Sequence, residues 1–154
     1  MGDIVLTTPS LPAMSEATLA KVRALEDRAF ELPQVSTETH HVLHAGLYAR
    51  TILLPAGTMI TGALIKIATL VIVEGDALVW LGDTSKRLKG YTVLPASAGR
   101  KQAFFALDDS HITMIFPTDA YNVEGAEIEF TDEHERLASR REDARNLTII
   151  TGEN

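Results

Sequence analysis

Nowhere between Thr37 and Pro117 does the chain leave room for a long helix, and this restricts what it can fold into. Short runs rich in Val, Ile, Leu, Thr and Tyr are broken by Ala45-Gly46, Pro55-Ala56-Gly57, Glu74-Gly75-Asp76, Gly90 and Asp108-Asp109. Glycine reaches backbone angles closed to other residues and proline lacks a ladder donor, so such clusters mark turns. Short strands at this spacing specify an antiparallel sandwich or barrel and argue against α/β folds.

The flanks read differently. Pro9 and Pro12 keep the first 14 residues extended, and Ile4-Val5-Leu6-Thr7-Thr8 has the β-branched character to pair with a sheet edge. Ser15 is an N-cap for a helix over Glu16 to Glu31, with Leu19, Val22, Leu25 and Ala29 at helical spacing and Pro33 beyond its end. After Pro117, Asn122 or Asp119 caps a short helix carrying Val123, Ile128 and Phe130. Thr131-Asp132 caps another reaching about Arg141. Glu142 to Asn154 is polar apart from Leu147, Ile149 and Ile150, a tail that frays unless it docks. The organisation expected is an arm and helix over 1–36, a barrel over 37–117 and C-terminal helices and tail over 118–154. Together these make one structural domain.

Composition removes whole classes of function. Without cysteine there is no disulfide, thiolate zinc site or cysteine nucleophile, and an intracellular setting is favoured. The N-terminus lacks the basic start and apolar core of a signal peptide, and the run Ala68 to Val73 is too short for a membrane helix. A net charge of −7 disfavours nucleic acid as a partner. Lys86-Arg87-Leu88-Lys89 and Arg100-Lys101 are the local basic exceptions, expected as solvated loop charge.

Leu54-Pro55-Ala56-Gly57-Thr58, an apolar run and then Glu74-Gly75-Asp76-Ala77 resemble the first motif of the cupin superfamily. Gly90 and Pro95, the turn at Asp108-Asp109 and a strand ending Phe116-Pro117-Thr118 are similar to its second half. Over residues 40–120 the chain resembles small cupin-like proteins of bacteriophages and prophages. The resemblance implies an all-β, cupin-like antiparallel jelly-roll barrel with an N-terminal helix and short C-terminal helices.

The departures from that pattern carry chemistry. Where metal-binding cupins place a His-x-His pair, this chain reads Leu64-Ile65-Lys66-Ile67-Ala68, with Ile65 and Ile67 at the inward positions. The third ligand position falls near Phe116. Isoleucine and phenylalanine offer a metal no lone pair, so no metal and no cofactor are expected, and the interior of Ile65, Ile67, Val71 and Phe116 should be dry and filled. His40 and His44 on one strand face stand about 13–14 Å apart, too far for one ion. Asp108-Asp109-Ser110-His111 has the residue types of a nucleophilic triad, but neighbours on a hairpin turn cannot form a relay. Tyr48 and Arg50 alternate on one strand, and Arg100-Lys101-Gln102 follows a loop of small residues. These five are the candidate ligand-binding residues, with the chemistry to hold a phosphate or carboxylate.

Three functions follow as expectations. The first is a non-enzymatic, metal-free homo-oligomer acting through its surfaces and arms, an accessory or virion-associated phage protein that meets other phage proteins in the host cytoplasm or virion. The second is a binder of an anionic small molecule or nucleotide. The third is a metal-independent sugar-type isomerase or epimerase using Tyr48, His44 or His111. Catalytic residues are not assigned.

Overall fold

Alternating burial along Glu38–His44 (β1) and Leu47–Leu54 (β2) marks two strands with one face inward, joined by a tight turn. Ala45 (φ 54) and Gly46 (φ 68) both take left-handed angles in that turn, the geometry a two-residue hairpin requires. The computed structural model describes residues 9–82 and 84–153. The sheet continues through Met59–Thr61 (β3), Thr69–Trp80 (β4), Ser85–Ala96 (β5), Ala103–Ala106 (β6), Ser110–Pro117 (β7) and Arg145–Ile150 (β8). Strand order is β3-β6-β4-β7-β2-β1-β8, with β5 paired to β4 alone. Curled on itself, this is the cupin-like β-barrel expected, with helices Glu16–Ala29 (α1) and Val123–Phe130 (α2).

Three details differ from expectation. Glu74-Gly75-Asp76 and Gly90 do not end strands: β4 and β5 run on for 12 residues each, and Gly75 and Gly90 face one another in register. Both have positive φ (127° and 89°), so the paired glycines bend one long ribbon and let it serve two sides of the barrel. The tail is not frayed, because β8 pairs in parallel with β1 from Glu38↔Arg145 to Leu43↔Ile150, which makes the sheet mixed rather than purely antiparallel. Thr131-Asp132 starts no α-helix. Thr131 Oγ1 donates to Leu64 O at 2.7 Å, and the chain passes into two 3-10 turns, His134–Arg136 and Ala138–Arg140.

The ends behave as capping chemistry dictates. Ser15 Oγ accepts from Thr18 N at 3.2 Å and starts α1, while Asn122 Oδ1 accepts from Gly125 N at 2.7 Å and starts α2. α1 stops at Ala29, two residues earlier than Glu31, as Glu31 N and Leu32 N turn back to Arg28 O and Ala29 O. The pairing foreseen for Ile4–Thr8 lies outside the described residues. Leu11 does meet a sheet edge: it is buried and bridges Ala96 through bonds to Pro95 O and from Ser97 N.

Two apolar clusters fill the ends of the curl. One gathers Leu54, Val73, Val79, Leu94 and Phe104, with Leu11 closing it. The other joins Leu43, Tyr48 and Phe116 to Ala126 and Phe130 of α2 and to Leu137. Inward positions along β2 run Tyr48, Arg50, Ile52, Leu54, so Arg50 falls between the clusters. Its register partner Met114 faces Val71 on the far side. That level of the barrel is where polar side chains enter the interior.

Candidate functional site

The interior at this level is open rather than filled. A cavity of about 220 Å³ is lined by Ile52, Val71, Phe104, Ile112 and Met114, and by Arg50, Arg100, Lys101 and Gln102. The filled interior expected from Ile65, Ile67, Val71 and Phe116 is thus corrected. The reason is local: residues after β3 leave the sheet instead of forming the strand Leu64–Ala68. Leu64 N donates to the Glu133 carboxylate, Lys66 N to Phe130 O, and Ile65 makes one bridge with Arg100. Ile65 and Ile67 both pack, partly buried, against the second cluster, where Phe116 sits edge-on to Tyr48 and Phe130. Among the described residues no three His, Asp or Glu side chains gather in a metal-holding group.

Arg100 and Lys101 are not solvated loop charges. Both are buried, as are Arg50 and Gln102. Lys101 Nζ lies 3.1 Å from the Glu26 carboxylate and 3.4 Å from that of Glu133, and it donates to Gly62 O. Arg50 NH1 donates to Glu127 at 2.7 Å and NH2 to Ser139 Oγ at 2.8 Å, with the guanidinium 5.6 Å from the Phe130 ring centre. Glu127 also accepts from Ser139 and Arg140. Burial raises the Glu127 pKa, but Arg50 and these hydrogen bonds outweigh it and hold the carboxyl below its ordinary value. Arg100 donates to Ser97 O and Thr69 Oγ1, and burial pulls its pKa down to about 10.

Of the five candidate ligand residues, Arg50, Arg100, Lys101 and Gln102 reach one cavity wall. Tyr48 does not. It is fully buried behind Arg50, whose NH1 donates to its hydroxyl at 3.3 Å. Burial raises the Tyr48 pKa, keeping the phenol protonated. His44 bonds Thr151 Oγ1 at 2.7 Å, and His111 stands beside Glu74, both exposed, so Tyr48, His44 and His111 do not assemble. His40 meets Glu38 at 3.0 Å on the outer face. Asp108 and Ser110 form the expected turn, Ser110 Oγ donating to Asp108 O.

Sequence reading missed the acidic partners. Glu26 lies one helical turn beyond Val22 on the buried face of α1, and Glu127 one turn beyond Val123 and three residues before Phe130. A carboxylate on an apolar helical stripe is a readable sign of a buried ion pair.

No protein-family profile matches the chain, and no curated protein does. Solved structures of similar fold include ectoine synthase from P. lautus, at 17% identity over 63% of this chain and 72% of that one, with a TM-score of 0.46. A cupin-2 domain protein from Shewanella frigidimarina is 17% identical over 65% and 98%, TM-score 0.41. The cupin_2 domain of an XRE family transcriptional regulator from Enterobacter cloacae is 12% identical over 47% and 84%, TM-score 0.40. These cupin-fold proteins include an enzyme and a regulator, and at such identities the likeness concerns fold alone. Among the described residues no helix is long and apolar enough to cross a membrane.

Proposed function

We propose that this chain is a small-molecule-binding barrel whose ligand occupies the internal cavity. The cavity itself carries the reading: about 220 Å³, mostly apolar in its walls, with a few buried polar side chains converging on it. Such concave, largely apolar spaces with a small set of orienting polar groups are the usual form of ligand sites. Thermal shift of the full chain with 4-methylpentanamide and phenylacetamide tests it. A ligand at a hundred times its dissociation constant adds about 2.7 kcal/mol, a measurable rise. The rise should vanish in Ile112→Phe, which fills the cavity, provided circular dichroism shows the barrel intact. No rise for wild type with either amide, and none with the matching acids 4-methylpentanoate and phenylacetate, would overturn the reading.

A second reading, the oligomeric scaffold working through its surfaces, is supported by the outer sheet face. Leu70, Val93, Leu147 and Ile149 are all exposed there on β4, β5 and β8. A continuous apolar face favours association. The phage accessory or virion setting belongs to this reading and rests on the sequence resemblance. Light scattering decides it, since a monomer at working concentration would sink the scaffold.

A further inference from the structure

The wall of the cavity carries one positive charge that the protein leaves unbalanced. Arg100 NH1 donates to Ser97 O at 2.6 Å and NH2 to Thr69 Oγ1 at 2.7 Å, with longer contacts to Ile67 O at 3.5 Å and Met114 Sδ at 3.9 Å. All four acceptors are neutral. Among the described residues no carboxylate stands within ion-pair distance of it, although the side chain is only 2% exposed. The neighbouring cations are answered: Arg50 by Glu127, Lys101 by Glu26 and Glu133, Arg136 by Glu26. With a pKa of about 10, Arg100 stays charged at neutral pH. A buried ion without a counter-ion is costly, so a site that keeps one is prepared for an anion.

A second observation points to the same place. Gln102, two residues along, lines the same cavity at 5% exposure, and its Nε2 has no hydrogen-bond partner. An unpaired buried amide costs about 1–3 kcal/mol, and because Nε2 is itself sealed from the cavity, a ligand oxygen recovers this only with a turn of the Gln102 side chain.

We propose that the cavity takes a small monocarboxylic acid with an aliphatic or aromatic body, its carboxylate held by Arg100 and Gln102. This rests on the cavity being the ligand site. Guanidinium has five N–H donors; the two short bonds to Ser97 and Thr69 are kept, and a carboxylate takes the place of the long contacts to Ile67 O and Met114 Sδ. One unbalanced positive charge matches one negative charge. A phosphate dianion would bring a second charge, with every other cation named above already paired. Ile52, Val71, Phe104, Ile112 and Met114 give part of the wall an apolar surface that accepts a hydrocarbon body.

Calorimetric titration of the full chain with 4-methylpentanoate and phenylacetate, each against its primary amide and against inorganic phosphate, tests the proposal. The acids should bind roughly tenfold or more tighter than the amides, the worth of a charge-assisted bond. Arg100→Met, which keeps the apolar stem, should weaken the acids by a larger factor than the amides and so remove most of the difference between them. Gln102→Leu removes no charge and should weaken acid binding by a smaller factor, giving an independent check if Arg100→Met does not fold. Equal binding of acid and amide to wild type, or acid binding untouched by both variants, overturns the carboxylate subsite while the cavity reading stands. Phosphate binding more tightly than the acids overturns the monoanion. Absence of binding by acids and amides alike overturns the cavity reading and this proposal with it.

Discussion

The Tyr48 hydroxyl oxygen lies 2.7 Å from Nδ1 of His41, and both side chains are sealed from solvent. Their rings stack at 6.0 Å. The other ring nitrogen of His41 meets Asn146 Oδ1 at 2.7 Å, while Asn146 Nδ2 donates to Ser139 O at 2.9 Å. That amide orientation fixes the rest: Nε2 of His41 donates, Nδ1 accepts from Tyr48, and the imidazole is satisfied in its neutral form. The network joins β1, β2 and β8 to the Arg50–Glu127 pair at the cavity wall.

Stability should fall as the solution is acidified through the histidine range. Burial lowers the His41 pKa below 6.5, and the Asn146 hydrogen bond acts against this without reversing it. The unfolded chain therefore takes up a proton that the folded one refuses. His41's contribution is complete above about pH 6.5 and declines as pH drops toward its lowered native value. Urea midpoints from pH 8 down to 5 should fall in wild type and fall less in His41→Gln. Parallel profiles for the two proteins would remove His41 as the cause.

Asn146→Ala strands the His41 Nε2–H. Leaving one buried donor unmet costs about 1–3 kcal/mol. Because β8 is otherwise held to β1 by backbone pairing and one exposed Arg145–Glu38 ion pair, the loss should also speed amide exchange along Arg145–Ile150. Hydrogen exchange by NMR or mass spectrometry measures it, and unchanged protection of β8 would contradict the anchoring role.

How much of this was legible depended on sequence distance. The barrel was readable because turn chemistry is local: Ala45-Gly46, Pro55-Ala56-Gly57 and Asp108-Asp109 each declare a reversal within a few residues. The Ser15 and Asn122 caps were readable for the same reason. Gly75 and Gly90 misled, since a glycine bend inside a long ribbon and a glycine turn carry the same letter. The cavity was not readable. It exists because residues 62–68 curl onto Phe130 and Glu133, the Leu64–Glu133 contact spanning 69 positions, beyond the reach of any local pattern. The docking of β8 was hidden likewise, its partner β1 lying 107 positions earlier, as do the flanking contacts Ser36–Asp143 and His44–Thr151. Arg50, Arg100, Lys101 and Gln102 could be picked by type, but which of them lacks a counter-charge is a property of the folded barrel.

Gly75→Ala should be among the most damaging single-methyl additions. A Cβ at Gly75 would stand 2.5 Å from Ser110 Oγ, 2.6 Å from Asp109 O and 2.8 Å from Ser110 Cα. Two of those atoms are backbone and cannot swing aside, and φ of +127° is itself unfavourable for alanine. Strain and overpacking together cost roughly 3 kcal/mol or more. Gly57→Ala, also at positive φ (+79°) but with open space around the added carbon, should cost less. Thermal melts of the pair separate steric conflict from backbone preference, and equal losses would assign the whole effect to φ.

Removing one member of the Arg50–Glu127 pair should hurt more than removing both. Glu127→Leu leaves Arg50 buried without its carboxylate, and Arg50→Met leaves Glu127 with only Arg140 as a cation. Breaking a buried pair from one side costs about 3–5 kcal/mol, whereas replacing both partners with apolar groups is often close to neutral. Arg50→Met with Glu127→Leu should therefore recover much of either single loss in a urea double-mutant cycle. The pair also has its own acid limb: Glu127 is held below 4.5, so its contribution is present above that value and is lost as pH falls through its native pKa. Glu127→Gln should flatten the stability profile below pH 4.5 and leave the histidine limb in place. If the double variant were as unstable as the sum of the singles, Arg50 and Glu127 would act independently and the ion pair would not be the unit that shapes this wall of the cavity.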